Sequence, residues 1–180
     1  MNNITAVILA GGKSTRMKQD KALVKINNKT LLNHQIDSLS PIFNKIIISA
    51  NTNYNCDYRI IKDIDKDKGP IGGIYSILQN INTEKAFIIA VDMPYITEGI
   101  ITKLIDNSNG FDITIPIISN KTEPTCAIYS KECISVIKKQ LMFNNYKLTD
   151  FIAKCKTNYV SFTENDLDYF KNLNYPEDLT

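Results

Sequence analysis

The chain has 180 residues, of which 43% are hydrophobic and 22% charged, with a formal net charge of +2. That length suits one domain, able to bury about 70% of the unfolded chain's surface with no disulfide or metal staple. A charge so near balance, with no basic stripe interleaved with aromatics, argues against a dedicated nucleic-acid binder, and no segment approaches the ~20 apolar residues of a membrane span.

Taken in chain order, short apolar runs alternate with amphipathic segments. "AVILA" (6–10) reads as a buried strand, and 30–39 as a helix with Leu31, Leu32, Gln35, Ile36 and Leu39 near 3.6-residue spacing. Strands follow at 45–50 and 58–63, then a helix entered through Gly69-Pro70 and starting near Ile71. "AFIIAV" (86–91) is another buried strand, 98–107 a helix and 111–117 a strand. "CAIYS" (126–130) reads as a strand leading into a helix over 131–141, followed by a short helix "LTDFIAK", a late strand "NYVSF" and a helix start at Pro176. Alternating strands and helices predict a single α/β domain whose mostly parallel sheet is flanked by helices. Ligands of such sheets bind beyond the carboxyl ends of the strands. There the chain places the loop after strand one, Asn51, Asp63 and Asp92.

The first loop, "LAGGKSTRMKQDKAL" (9–23), contains "GGKST". It is not a Walker A loop, because the residue five before Gly12 is Val7 rather than glycine. It is not the dinucleotide fingerprint either, since Gly11 and Gly12 are adjacent and no third glycine opens a helix. What remains is a strand running into two glycines and then Lys13, Arg16 and Lys21, a composition that suits a polyanion such as a triphosphate. A flexible turn with ordinary surface lysines is the other reading.

Asp92, in "AVDMPY", ends a buried strand, where a carboxylate is costly unless solvated, paired or bound to a metal. Hard oxygen donors suit Mg²⁺; a turn or cap role before Pro94 is the alternative. Asp63 lies in the charge-rich "KDIDKDKG" and reads equally well as a solvated loop residue. The four cysteines show no C-x-x-C spacing and His34 is the one histidine, so a structural zinc site is not expected. Reduced thiols and an N-terminus without a cationic leader predict a cytoplasmic protein. His34, on an amphipathic helix, reads as a packing or surface residue.

Together, "LAGGKSTRMKQDKAL", "ISAN", "IIKD…GPIGGI", "VDMPY", "EPTCAIY" and "NLNYPEDL" resemble the molybdenum cofactor guanylyltransferase family, from residue 6 to 179 and in the family's order. The resemblance implies a Rossmann-like, GT-A-like nucleotidyltransferase fold. It also implies transfer of GMP from GTP to molybdopterin or molybdenum cofactor, with Mg²⁺ as cofactor and pyrophosphate as the second product. A related transferase using CTP or a sugar-phosphate acceptor is the alternative. By resemblance, Leu9, Ala10, Gly11, Gly12, Lys21, Asn51, Asp63 and Asp92 contact the nucleotide, and Asp92 also holds the metal. Lys21, Asp92 and Arg16 carry catalysis, and Asn172 and Asn174 lie toward the acceptor. Transient contact with cofactor-insertion proteins is implied as well. Two departures stand out: Lys18 follows the loop methionine where the family often has glycine, and "NKTL" (28–31) replaces "GxPL".

Overall fold

A computed structural model of the chain describes residues 3–11, 20–62 and 68–174. The elements are β1 (Ile4–Leu9), a 3₁₀ turn (Lys21–Leu23), β2 (Lys25–Ile26), β3 (Lys29–Thr30), α1 (Leu31–Leu39), β4 (Ile46–Ser49), β5 (Arg59–Ile61) and α2 (Gly69–Asn80). They continue with β6 (Lys85–Ala90), α3 (Glu98–Asp106), β7 (Ile113–Ile118), β8 (Lys121–Thr122) and β9 (Cys126–Ser130). The last are α4 (Cys133–Met142), α5 (Leu148–Ile152), β10 (Thr157–Ser161) and a 3₁₀ stretch (Glu164–Phe170).

The main sheet has the order β10-β7-β9-β6-β1-β4-β5, with β8 attached to β7. Pairings β6–β1, β1–β4, β4–β5 and β7–β10 are parallel; β9 runs antiparallel to both β6 and β7. The expected α/β sheet is therefore present, with one reversed strand at its middle.

Alternation along the central strands buries both faces. On β1, Ala6 and Ile8 face one core and Val7 the other; on β6, Phe87 and Ile89 face the first and Ala86 and Ile88 the second. Helices α1 and α3 cover the first face through Leu31, Leu32, Ile36, Leu39, Ile100, Ile101 and Leu104. Helices α2 and α4 cover the second through Ile71, Ile74, Ile77, Leu78 and Ile137. Each fully buried aliphatic side chain stabilises the fold by about 1.5–3 kcal/mol, which is why continuous apolar strands belong at the middle of a two-faced sheet.

The "NKTL" departure has a local answer. Asn27 and Asn28 take φ of 50° and 64° in a two-residue hairpin between β2 and β3, a left-handed geometry that asparagine tolerates. Thr30 then caps α1, its hydroxyl accepting from Asn33 N–H at 3.2 Å. Asn28 and Thr30 thus fill, by other means, the positions of the missing glycine and proline. Helix α2 begins at Gly69, two residues before the expected Ile71, and β5 stops at Ile61. The helix start expected at Pro176 lies outside the described residues.

Candidate active site

Beyond the carboxyl ends of β1, β4, β5 and β6 the strands stay knitted. Ala10 N–H donates to Ser49 O at 2.9 Å, Ala50 N–H to Ile61 O at 2.9 Å, and Val91 N–H to Leu9 O at 3.0 Å. The carbonyls of Leu9 and Ala10 already have donors, the latter from the Tyr54 hydroxyl at 3.1 Å. Gly11 is exposed and has no left-handed backbone; a Cβ there would touch only Ala50 Cα and Ser49 O, each at 3.7 Å. The fold itself therefore tolerates a side chain at Gly11. Asn51 is exposed at the end of β4. Gly12, Lys13, Arg16, Lys18 and Asp63 lie outside the described residues.

Lys21 and Asp92 meet. Asp20 opens the 3₁₀ turn by accepting from Ala22 N–H at 3.0 Å, and its other carboxylate oxygen accepts from Tyr54 at 2.8 Å. The turn so fixed aims Lys21 Nζ at Asp92 Oδ2, 2.6 Å away, and at Asn174 Oδ1, also 2.6 Å away. The Lys21 and Asp92 side chains are 20% and 15% exposed, so this is a largely desolvated ion pair. Leu173 N–H donates to Asp92 O at 2.9 Å, which brings the C-terminal segment onto the same turn. Asn172 shares that segment and is half-buried, but the contact closing on Lys21 comes from Asn174.

Asp92 Oδ1 is buried without a hydrogen-bond partner among the described residues. Such an oxygen carries a desolvation penalty that a cation would relieve. No group of three or more His, Cys, Asp or Glu side chains with metal-site geometry occurs among the described residues. A magnesium site does not require one, because Mg²⁺ is usually held by one or two carboxylates together with substrate phosphates and water. The residues present therefore fit such an ion.

Two supporting residues, Gln35 and Tyr54, have no obvious sequence signature, and a third, Glu123, opens the "EPTCAIY" motif. Gln35, buried in the apolar stripe of α1, donates to Met93 O at 2.7 Å and to Ala90 O at 3.3 Å, pinning the turn that carries Asp92. Tyr54 bridges strand one to Asp20. Burial, and then its hydrogen bond to Asp20, hold its phenol strongly toward the protonated form. Glu123, in the half-buried segment before β9, has its carboxyl raised above the usual range, first by burial and then by the charge of Asp92, with Lys121 opposing. His34 packs as expected, its Nε2 3.0 Å from Ile26 O. The four cysteines are free thiols.

The MobA-like NTP transferase domain matches residues 6–157. The chain belongs to this family. It is 37% identical to a protein of Natranaerobius thermophilus named probable molybdenum cofactor guanylyltransferase, the alignment covering 99% of this chain and 94% of the relative. A protein of the same name from Flavobacterium johnsoniae is 34% identical, with 99% and 96% covered. Among solved structures, molybdopterin-guanine dinucleotide biosynthesis protein A from Archaeoglobus fulgidus superposes with a TM-score of 0.81 at 21% identity, covering 97% of this chain and 94% of that one. A nucleotidyl transferase from Methanothermobacter thermautotroptrophicus gives 0.76 at 13% identity, with 97% and 93% covered. These two establish a shared nucleotidyltransferase fold, and membership of the MobA-like family makes the chain a nucleotidyltransferase. No helix among the described residues is long and apolar enough to cross a membrane.

Proposed function

We propose that this MobA-like enzyme transfers GMP from GTP to the terminal phosphate of molybdopterin or its molybdenum-loaded form. A phosphate oxygen of the pterin attacks the α-phosphorus of GTP. A new P–O bond forms, the α–β bridging bond breaks, and pyrophosphate leaves with that electron pair. The nucleophile is already ionised near neutral pH, so no general base is required.

The observation that supports this reading best is the convergence of Lys21, Asp92 and Asn174 on one point at the carboxyl edge of the sheet, with Asp92 Oδ1 left over. A lysine ammonium has three donors, and the described residues accept two of them. Lys21 can therefore take a phosphate oxygen while its turn stays capped by Asp20. A cation about 4 Å from a developing charge is worth about 4 kcal/mol at an effective dielectric near 20, or roughly 10³ in rate where the interaction grows in the transition state. Asp92 would hold Mg²⁺ through Oδ1, and the ion, when bound, screens the charge of the triphosphate. Gly11 leaves its surface open for the nucleotide where the fold alone would accept a Cβ. Arg16 and Lys13 are assigned to the triphosphate, Asp63 and Asn51 to the nucleotide, and Asn174 with Asn172 to the acceptor side.

The test is pyrophosphate release by purified protein with Mg²⁺ and molybdopterin, comparing GTP with CTP, ATP and UTP. Release with GTP alone is the expected result. Release with CTP would keep the site and transfer the chain to cytidylyl chemistry. Release only with a sugar-phosphate acceptor would refute the acceptor.

A further inference from the structure

The four thiols divide between the two faces of the sheet. Cys56 and Cys126 pack with the core under α1 and α3, and Cys133 and Cys155 with the core under α2 and α4. Cys133 opens α4, and Cys155 lies between α5 and β10. Asp112, just before β7, brings these two together. Its carbonyl accepts from the Cys133 thiol at 3.4 Å. Its N–H donates to Lys156 O at 2.9 Å, and its Oδ2 accepts from Lys156 N–H, also at 2.9 Å. The β7–β10 register continues this pairing with Ile113 opposite Thr157, so the residue after Cys155 is fixed to the one that holds Cys133. Cys155 N–H is turned inward as well, donating to Ile152 O at 3.2 Å. Across this joint the two thiols hydrogen-bond to one another.

The pair is asymmetric. Cys133 is fully buried, and Cys155 is half-buried. The hydrogen bond from Cys133 holds the Cys155 thiol below its ordinary range, against the opposing effects of burial and of Asp112. The same bond, and then burial, push Cys133 up. Thiolate character and access therefore belong to Cys155, with a protonated thiol packed behind it. A reactive thiol backed by a second that can resolve its oxidised form is the arrangement of a redox-sensitive pair. Cys126, 0% exposed and pushed up by burial, is by contrast inert core filler.

We propose that Cys133 and Cys155 form a reversible oxidation site, closed to a disulfide by hydroperoxides, that ties the start of α4 to the entry of β10. The Cys155 thiolate attacks one oxygen of the peroxide. An S–O bond forms, the O–O bond breaks, and the departing oxygen takes up a proton. Cys133 then attacks the sulfenic sulfur of Cys155. An S–S bond forms, the S–O bond breaks, and the hydroxyl leaves as water with the Cys133 proton. The two thiols lose two electrons, and the peroxide gains them.

Hydrogen peroxide is the probe, added to the folded full-length chain, with free thiols then blocked by N-ethylmaleimide in urea before peptide mass spectrometry. A linked pair of peptides holding Cys133 and Cys155 is expected, about 2 Da lighter than the two thiol peptides together and separated again by dithiothreitol. In Cys133→Ser the sulfenic acid on Cys155 has no resolving thiol, so dimedone should label Cys155 there about tenfold more than in the parent. The parent measurement needs no variant to fold. Both thiols still open to maleimide after Cys56 has been oxidised would overturn the site. So would passage of Cys155 to sulfinic acid in the parent, or a disulfide found only between two chains. Equal dimedone labelling of Cys155 in the parent and in Cys133→Ser would overturn the pairing.

Discussion

Removing the ammonium of Lys21 separates its structural task from its chemical one. The ion pair is 2.6 Å long between side chains only 20% and 15% exposed, so Lys21→Met strands a carboxylate in a largely desolvated turn. Loss of one partner of a buried pair costs about 3–5 kcal/mol, and the residual exposure here points to about 3. For a chain of this size each kcal/mol moves Tm by about 2–4 °C, so a fall of about 6–12 °C is expected at pH 7. Adding Asp92→Asn to Lys21→Met removes the stranded charge and should restore about 2 kcal/mol, a coupling within the range measured for contacting residues. Activity should not follow. Pyrophosphate release should fall about 10²–10³ in kcat/KM for Lys21→Met and stay down in the double variant. The checks are thermal melts of the two single variants, the double variant and the parent, beside initial rates. Melting losses that add to within about 0.5 kcal/mol would refute the buried pair. Recovery of rate alongside stability would refute the chemical role of Lys21.

Three further outcomes are expected. Gly11→Ala should leave Tm within about 2 °C, because a Cβ there meets only ordinary contacts at 3.7 Å, while GTP affinity measured by calorimetry falls; unchanged affinity would remove Gly11 from the nucleotide site. Gln35→Leu should cost about 1–3 kcal/mol in urea unfolding, since it leaves the Met93 and Ala90 carbonyls without their side-chain donor, and should lower kcat by loosening the Asp92 turn. Tyr54 has its phenol raised by burial and Asp20, so the folded state holds a proton that the unfolded state gives up above about pH 10; that stability is present below pH 10 and lost as pH rises past it. Tyr54→Phe should therefore be less stable at pH 8 yet show a shallower alkaline decline, followed by circular dichroism; an alkaline limb as steep as the parent's would contradict this.

What the sequence disclosed depended on whether a contact was local. "AVILA" and "FIIAV" were legible as strands because a strand buried on both faces needs an unbroken apolar run, and each is one. Asp92 was legible because a carboxylate at the end of such a run is costly without a partner. Gln35 was visible only as a member of an apolar stripe; its task is set by two carbonyls 55 and 58 residues away. Tyr54 sits in the polar run "NTNYNCDY", where nothing nearby predicts its bond to Asp20. The β2–β3 hairpin was hidden because two-residue strands carry no periodicity, although Asn27-Asn28 is a turn signal in retrospect. The reversed direction of β9 was hidden for a related reason. Strand direction follows from pairing across the sheet, and no local pattern in "CAIYS" encodes which way its neighbours run.

On the reading proposed above, Lys21 and Asp92 define the electrostatic problem that a substrate must solve. In the chain by itself, Lys21 and Asp92 neutralise one another, with Asn174 sharing the ammonium. Drawing Lys21 toward a phosphate weakens its hold on Asp92, and a buried carboxylate left so is costly. A divalent cation alone brings a second positive charge beside Lys21, which is equally unwelcome. A triphosphate carrying its own divalent cation presents an anion to Lys21 and a cation to Asp92 at once, so the local charge balance is conserved. On the reading proposed above, metal and nucleotide then favour one another's binding, and by linkage the favour is mutual and of equal size. A lone nucleoside, with neither charge, gains nothing from the exchange. On that same reading, the ion pair of the ligand-free chain would act as a selectivity device, set against partial ligands and released by the complete one.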